Sequence, residues 1–98
     1  MYNYVMQIGL VYYIDPNKVK INNEKYIKVT LKEREPFKNA EGKHDFNFIT
    51  CYLPEAFGCF ISNNEIVSFK GRLRSVSEQT IFVVDNFQFL DSRYMEEK

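Results

Sequence analysis

The sequence predicts an all-β domain, a five-stranded, partly open Greek-key barrel with one short helix between its third and fourth strands. Three observations carry this reading. Segments rich in Val, Ile, Tyr and Phe recur along the chain, separated by turn-forming clusters such as Asp15-Pro16-Asn17, Asn22-Asn23 and Asn63-Asn64. The two-residue alternation of apolar side chains changes period after Leu53. With 98 residues the chain is long enough to bury one core and too short for a second.

Taken in order, Tyr2 to Ile14 reads as a first strand, with Gly9 marking a bend or bulge. Val19 to Ile21 and Tyr26 to Leu31 flank Asn22-Asn23, and asparagine tolerates the left-handed backbone of a tight hairpin. Ile27, Val29 and Leu31 alternate with Lys28, Thr30 and Lys32, the pattern of a half-buried strand. Pro36 interrupts that ladder, and Asn39-Ala40-Glu41-Gly42 forms a hairpin loop. Asp45 to Leu53 is the next strand. Pro54 to Ile61 reads as a short helix with proline in its first turn and Glu55 at the positive end of its dipole, stopped by Asn63-Asn64. Ile66, Phe69 and Leu73 mark a fourth strand bent at Gly71, and Thr80 to Leu90 is the last. Five strands with a helix between the third and fourth is the order of an OB-fold, whose second and third strands form the usual ligand face.

The strand Asp45 to Leu53 organises the rest. Ile49, Cys51 and Leu53 share one face, while Phe46, Phe48, Thr50 and Tyr52 share the other. An aromatic row on an open sheet face can stack unpaired bases, since every base has a π-face. The alternative is a strand buried on both sides.

Composition narrows the class further. A hydrophobic fraction of 45% with 27% charged residues is that of a globular chain. No apolar run approaches the roughly 20 residues of a membrane helix, and the N-terminus lacks the pattern of a signal peptide, so no membrane partner is expected. Cys51 and Cys59 make no disulfide framework or zinc site and read as small core residues in a reducing compartment. Thirteen basic residues balance thirteen acidic ones, which argues against a nonspecific duplex coat held by charge alone. The distribution is uneven. From Asn17 to Lys43, Lys18, Lys20, Lys25, Lys28, Lys32, Arg34, Lys38 and Lys43 face only Glu24, Glu33, Glu35 and Glu41, whereas from Ser75 onward acidic residues prevail. A polyanion is expected along the first region; lysines that block edge aggregation are the other reading of it.

These residues resemble the DNA-binding domain of bacterial single-stranded DNA-binding proteins over most of the chain. The likeness runs through Ile8-Gly9-Leu10 with Asp15-Pro16, Thr30-Leu31, Pro36-Phe37-Lys38-Asn39 with Gly42, Phe48-Ile49-Thr50-Cys51, Gly71-Arg72-Leu73, and Phe87-Gln88-Phe89-Leu90. It divides the chain into an OB-fold domain at 1–91 and a short tail at 92–98. The resemblance implies binding of single-stranded DNA without strong sequence preference, in replication, recombination or repair. It implies a homo-oligomer, dimer or tetramer, with the first strand around Tyr2, Tyr4 and Met6 as the pairing element. It also implies a cytoplasmic, nucleoid-associated location and possible replication proteins as partners.

Carried over position by position, two of the family's stacking aromatics are kept, Phe37 and Phe48. A third falls in a deletion between Cys51 and Glu55, where Tyr52 is the substitute. A fourth lies in a long arm that is cut here to Ser75-Val76-Ser77-Glu78-Gln79 without an aromatic. There is no Trp, Leu10 stands where the family often has Arg, and the long acidic tail is missing. The stacking candidates are therefore Phe37, Phe48, Phe46 and Tyr52, and the phosphate partners Lys32, Arg34, Lys38, Lys43, Arg72 and Arg74. Core or subunit-interface packing is the competing role for the aromatics, for Phe46 more than for Phe48, and surface solubility for each cation. Losing two platforms at ~1–3 kcal/mol per stacked base points to a weak or specialised binder.

No enzyme is expected. His44 is the single histidine and reads as a solvated loop residue, Glu33 and Glu35 alternate with Lys32 and Arg34 as an exposed charge ladder, and no phosphate loop occurs. No cofactor or metal is implied. Two readings stand beside single-strand binding. One is a replication accessory module resembling the primosomal OB-fold protein; the other is a protein-binding domain whose aromatic face is an interface.

Overall fold

Tight turns set the architecture. The computed structural model describes residues 3–90, which form β1 (Val5–Ile14), β2 (Val19–Ile21), β3 (Glu24–Lys38), β4 (His44–Pro54), a 3-10 helix (Glu55–Phe60), β5 (Ile66–Val76) and β6 (Gln79–Phe89). Asn22 and Asn23 take φ of 50° and 67° between the paired residues Ile21 and Glu24, the two-residue turn that the Asn-Asn pair predicts. Ser77 and Glu78, at φ 49° and 66°, close the same kind of turn between Val76 and Gln79. The shortened arm is thus an ordinary hairpin. Between β3 and β4, Asn39 holds the loop: its side-chain oxygen accepts from the backbone amides of Glu41 and Lys43, and its amide donates to Asp45 at 3.0 Å.

The strands run in the order β1-β5-β6-β4-β3-β2, and β1 also pairs with β3. That second pairing closes a barrel of five strands, β1, β3, β4, β5 and β6, with β2 as an addition outside it: the OB-fold predicted, with the Asp45–Leu53 strand in its expected place as the third barrel strand. β1 manages both pairings by changing partner at Leu10, which lies opposite Ile66 on one side and Lys32 on the other. Among the described residues the one parallel pairing is β4 with β6, through Cys51–Phe82 and Tyr52–Val83.

Two glycines have different reasons from each other. At Gly71 the β5–β6 register shifts, and an added Cβ would meet the Val83 carbonyl oxygen at 1.9 Å; here the expected bend is present. At Gly9 there is no register shift. A Cβ would instead come within 2.7 Å of the Lys32 carbonyl, so glycine is needed for the approach of β3. The bulge of β1 falls between Val11 and Tyr13. The helix is a 3-10 helix, with Pro54 capping it while ending β4. It packs Phe57 on the barrel core and carries Cys59 on the surface, correcting the expectation that both cysteines are buried.

The core inside the barrel comprises Val11, Val29, Leu31, Cys51, Leu53, Val67, Phe69, Phe82 and Val84, joined by Ile61 after the helix. A second, smaller cluster lies outside: Ile21, Tyr26, Ile81 and Val83, with Val19, Tyr52 and Val76 packed against them. The alternation along β6 explains it. Phe82 and Val84 point into the barrel, so Ile81 and Val83 point out, and the β2–β3 hairpin folds over to cover them.

Candidate nucleic-acid interface

The outer faces of β1, β3 and β4 form one surface. Residues directly opposite in antiparallel strands share a face, so Leu10, Lys32 and Phe48 make one row across the three strands and Tyr13, Thr30 and Thr50 the next. Arg34 stands opposite Phe46 in the row beyond. The inner face of β4 is core, with Cys51 and Leu53 fully buried, while Phe48 keeps 54% of its surface and Phe46 42%. The strand is therefore buried on one side only.

The β1 bulge enlarges this surface. Val11 is buried and Ile14 packs on the core, a spacing of three where regular alternation needs two, so Tyr12 and Tyr13 both face outward and are exposed. Tyr12 meets Phe48 edge to face, with ring centroids 5.0 Å apart. Lys32 Nζ lies 4.2 Å from the Phe46 centroid, a cation–π contact that leaves the ammonium among the aromatics. Sequence reasoning misses Tyr12 and Tyr13. The signal is present in the three-residue spacing between two apolar residues of one strand.

Past Arg34 the β3–β4 ribbon carries a register shift that resumes at Lys38–His44, as Pro36 requires. Phe37 lies in this irregular stretch and is 83% exposed, and Lys38 and Lys43 flank the loop in solvent. His44 is not a loop residue: it opens β4, half-buried, and its Nδ1 donates to the Glu35 carbonyl at 2.8 Å. Glu33 and Glu35 do share the other face, but Glu33 is no freely solvated rung. With its amide nitrogen turned toward the carboxylate, Gln7 donates to Glu33 at 2.9 Å, and Asn47 donates to Glu35. Burial first, and the neighbouring Glu35 second, raise the Glu33 carboxyl above its ordinary value. Burial, with Glu33 contributing, also pushes the Cys51 thiol far up, so it stays protonated and inert.

The remaining predicted residues are elsewhere. Tyr52 continues the outer row of β4 but is half-covered by the second cluster. Arg72 and Arg74 line a separate cleft with Asn22, Glu24 and Tyr26, where the Tyr26 hydroxyl donates to Glu24. Among the described residues no group of three or more His, Cys, Asp or Glu side chains is placed to hold a metal, and no helix is long and apolar enough to cross a membrane.

No family model matches the sequence, and no curated protein matches it significantly. The fold, in contrast, recurs among solved structures. The chain is similar to the Plasmodium falciparum SSB solved in complex with ssDNA, at 16% identity and a TM-score of 0.66, over 93% of this chain and 96% of that one. It is similar to the protein PriB from Ralstonia solanacearum at 8% identity and a TM-score of 0.70, over 91% and 98%. It also covers 52% of a single-stranded DNA-binding protein from Thermus aquaticus, with 94% of this chain aligned, 16% identity and a TM-score of 0.64. At these identities what is shared is the OB-fold.

Proposed function

We propose that the chain binds single-stranded DNA, without strong sequence preference, in replication, recombination or repair. Bases stack on Phe48, Phe46 and Tyr12, with Phe37 beyond them on the ribbon, and Lys32, Arg34, Lys38 and Lys43 meet the phosphates. The observation that carries this is the edge-to-face pair Tyr12–Phe48, open to solvent on a barrel face that also presents Lys32. An exposed aromatic pair among cations suits a polyanion with π-faces better than it suits water. Tyr52, Arg72 and Arg74 are kept as secondary contacts. The role is one of binding, not of catalysis.

The test is fluorescence anisotropy of a labelled oligo-dT at two salt concentrations, with the same label on a duplex. Preferential binding to the single strand, weakening with salt at a slope of about −0.7 per phosphate contacted, is the expected result. No binding at low salt overturns the reading.

One observation favours a second reading, that of a PriB-like replication accessory module holding a strand weakly beside partner proteins. The hairpin turn Ser77-Glu78 leaves no long arm between β5 and β6 to wrap DNA. A homo-oligomer, dimer or tetramer, belongs to either reading, with Met6 exposed on β1 and Tyr4 exposed just before it as its contact and Tyr2 outside the described residues. Sedimentation of Met6→Glu beside the parent chain tests this, a monomeric variant being expected. The short tail at 92–98 also lies outside the described residues.

A further inference from the structure

At the end of the aromatic row the surface turns concave. Phe48, Thr50 and Tyr52 alternate along one face of β4, which places Tyr52 about 13 Å from Phe48. Tyr52 there lines a cavity of about 210 Å³. Ile21 of β2 and Val76 and Ile81 of the β5–β6 hairpin give it apolar walls, while Lys20, Ser77 and Gln79 supply its polar groups. Among the described residues no carboxylate lines it.

We propose that this cavity takes one nucleobase of the bound single strand, so that the chain discriminates bases at one position of an otherwise indifferent path. The proposal rests on the single-strand reading above. Its size fits: clefts for drug-sized ligands hold about 300–1,000 Å³, and this one is large enough for a single ring system and no more. Its chemistry fits as well. Tyr52 brings an aromatic ring to the lining, Ile21, Val76 and Ile81 add aliphatic surface, and the Gln79 amide carries both a donor and acceptor with which to read a base edge. The Ser77 hydroxyl adds a second such group, and Lys20 is a cation for the adjoining phosphate. Around the cavity Ser77 and Gln79 stand together beside Tyr52, so a base seated there meets an amide and a hydroxyl at once, which is why sequence preference belongs at Tyr52.

The walls do not depend on the ligand. Ile21 and Ile81 belong to the second cluster, and the two hairpin turns that frame the cavity hold Asn22, Asn23, Ser77 and Glu78 at positive φ. Continuity selects the occupant, because the cavity is the terminus of the β4 row on which the strand is stacked.

Two measurements test this. Oligo-dT carrying 5-iodouracil is irradiated on the full chain, and cross-linked residues are located by fragmentation mass spectrometry; cross-links at Tyr52 as well as on the Tyr12–Phe48 face are expected. In parallel, affinities for short dT, dC and dA homopolymers are compared for the parent chain and Gln79→Ala. The parent should show a spread of about tenfold between best and worst base, collapsing toward unity in the variant through loss of affinity for the preferred base. Cross-links confined to Tyr12 and Phe48, or a spread unchanged by Gln79→Ala, overturn the pocket while leaving the stacking face intact. Failure of the parent to bind any single strand overturns the stacking reading itself, and the pocket with it.

Discussion

Phe48 stands on the outer face of β4, 54% exposed and edge-on to Tyr12, and contributes little to the barrel core. Phe48→Ala should therefore leave the thermal midpoint nearly unchanged and weaken single-strand binding by ~1–3 kcal/mol in an anisotropy titration. Leu31→Ala, at a fully buried position, should do the reverse, lowering stability by about 2–5 kcal/mol in denaturant unfolding. The sequence makes plain that Phe48 lies on the face opposite Cys51 and Leu53, whereas the openness of that face is set by the strands packed around it and is legible only in the structure. Glu33 is less legible. Its neighbours in sequence, Lys32 and Arg34, suggest a solvated ladder, but the inward parity it shares with Leu31 carries it to the barrel rim beside Gln7 and Glu35. Its raised pKa means that the charged form is disfavoured in the folded chain. The stability linked to Glu33 is therefore complete below the unfolded carboxyl's pKa and is lost as pH rises through the higher folded value. Glu33→Gln keeps an acceptor for Gln7 and removes that loss, so the variant should gain stability over the parent at neutral pH and lose the advantage in acid, as read by melting at both.

At the scale of elements, what local chemistry dictates is visible in the sequence and what distant strands dictate is not. Asn22-Asn23, the Asn39 loop and the interruption at Pro36 are each decided within a few residues, and each is found where the residues demand. The bulge at Tyr12 leaves a local trace in the three-residue spacing of Val11 and Ile14, but the covering of Tyr52 depends on strands far away in sequence. No window around Tyr52 reveals that Ile21 and Ile81 will close over it. The glycines divide along the same line. Gly71 is legible as a bend, although its necessity comes from Val83 on the neighbouring strand, while Gly9 leaves the register intact and answers the close approach of Lys32 on β3. Gly71→Ala should therefore force β5 and β6 apart and destabilise the fold by at least about 2 kcal/mol in denaturant unfolding, far more than the mild gain alanine brings to an unconstrained strand.

For the whole molecule, the uneven charge of a neutral chain supports an interaction confined to one side, with Lys32, Lys38 and Lys43 along the β3–β4 ribbon and its aromatic face. Among the described residues the same ribbon beyond Arg34 pairs only with itself, whereas Phe82 and Val83 of β6 have β5 on one edge, β4 on the other, the barrel core beneath and the β2 hairpin above. That enclosure on four sides makes the middle of β6 the keystone of the fold. Native-state hydrogen exchange should find the amides of Phe82 and Val83 opening only with global unfolding, while those near the ribbon tip exchange orders of magnitude faster through local fraying. The ribbon tip that carries Phe37, Lys38 and Lys43 can thus loosen and re-form while the barrel stays shut.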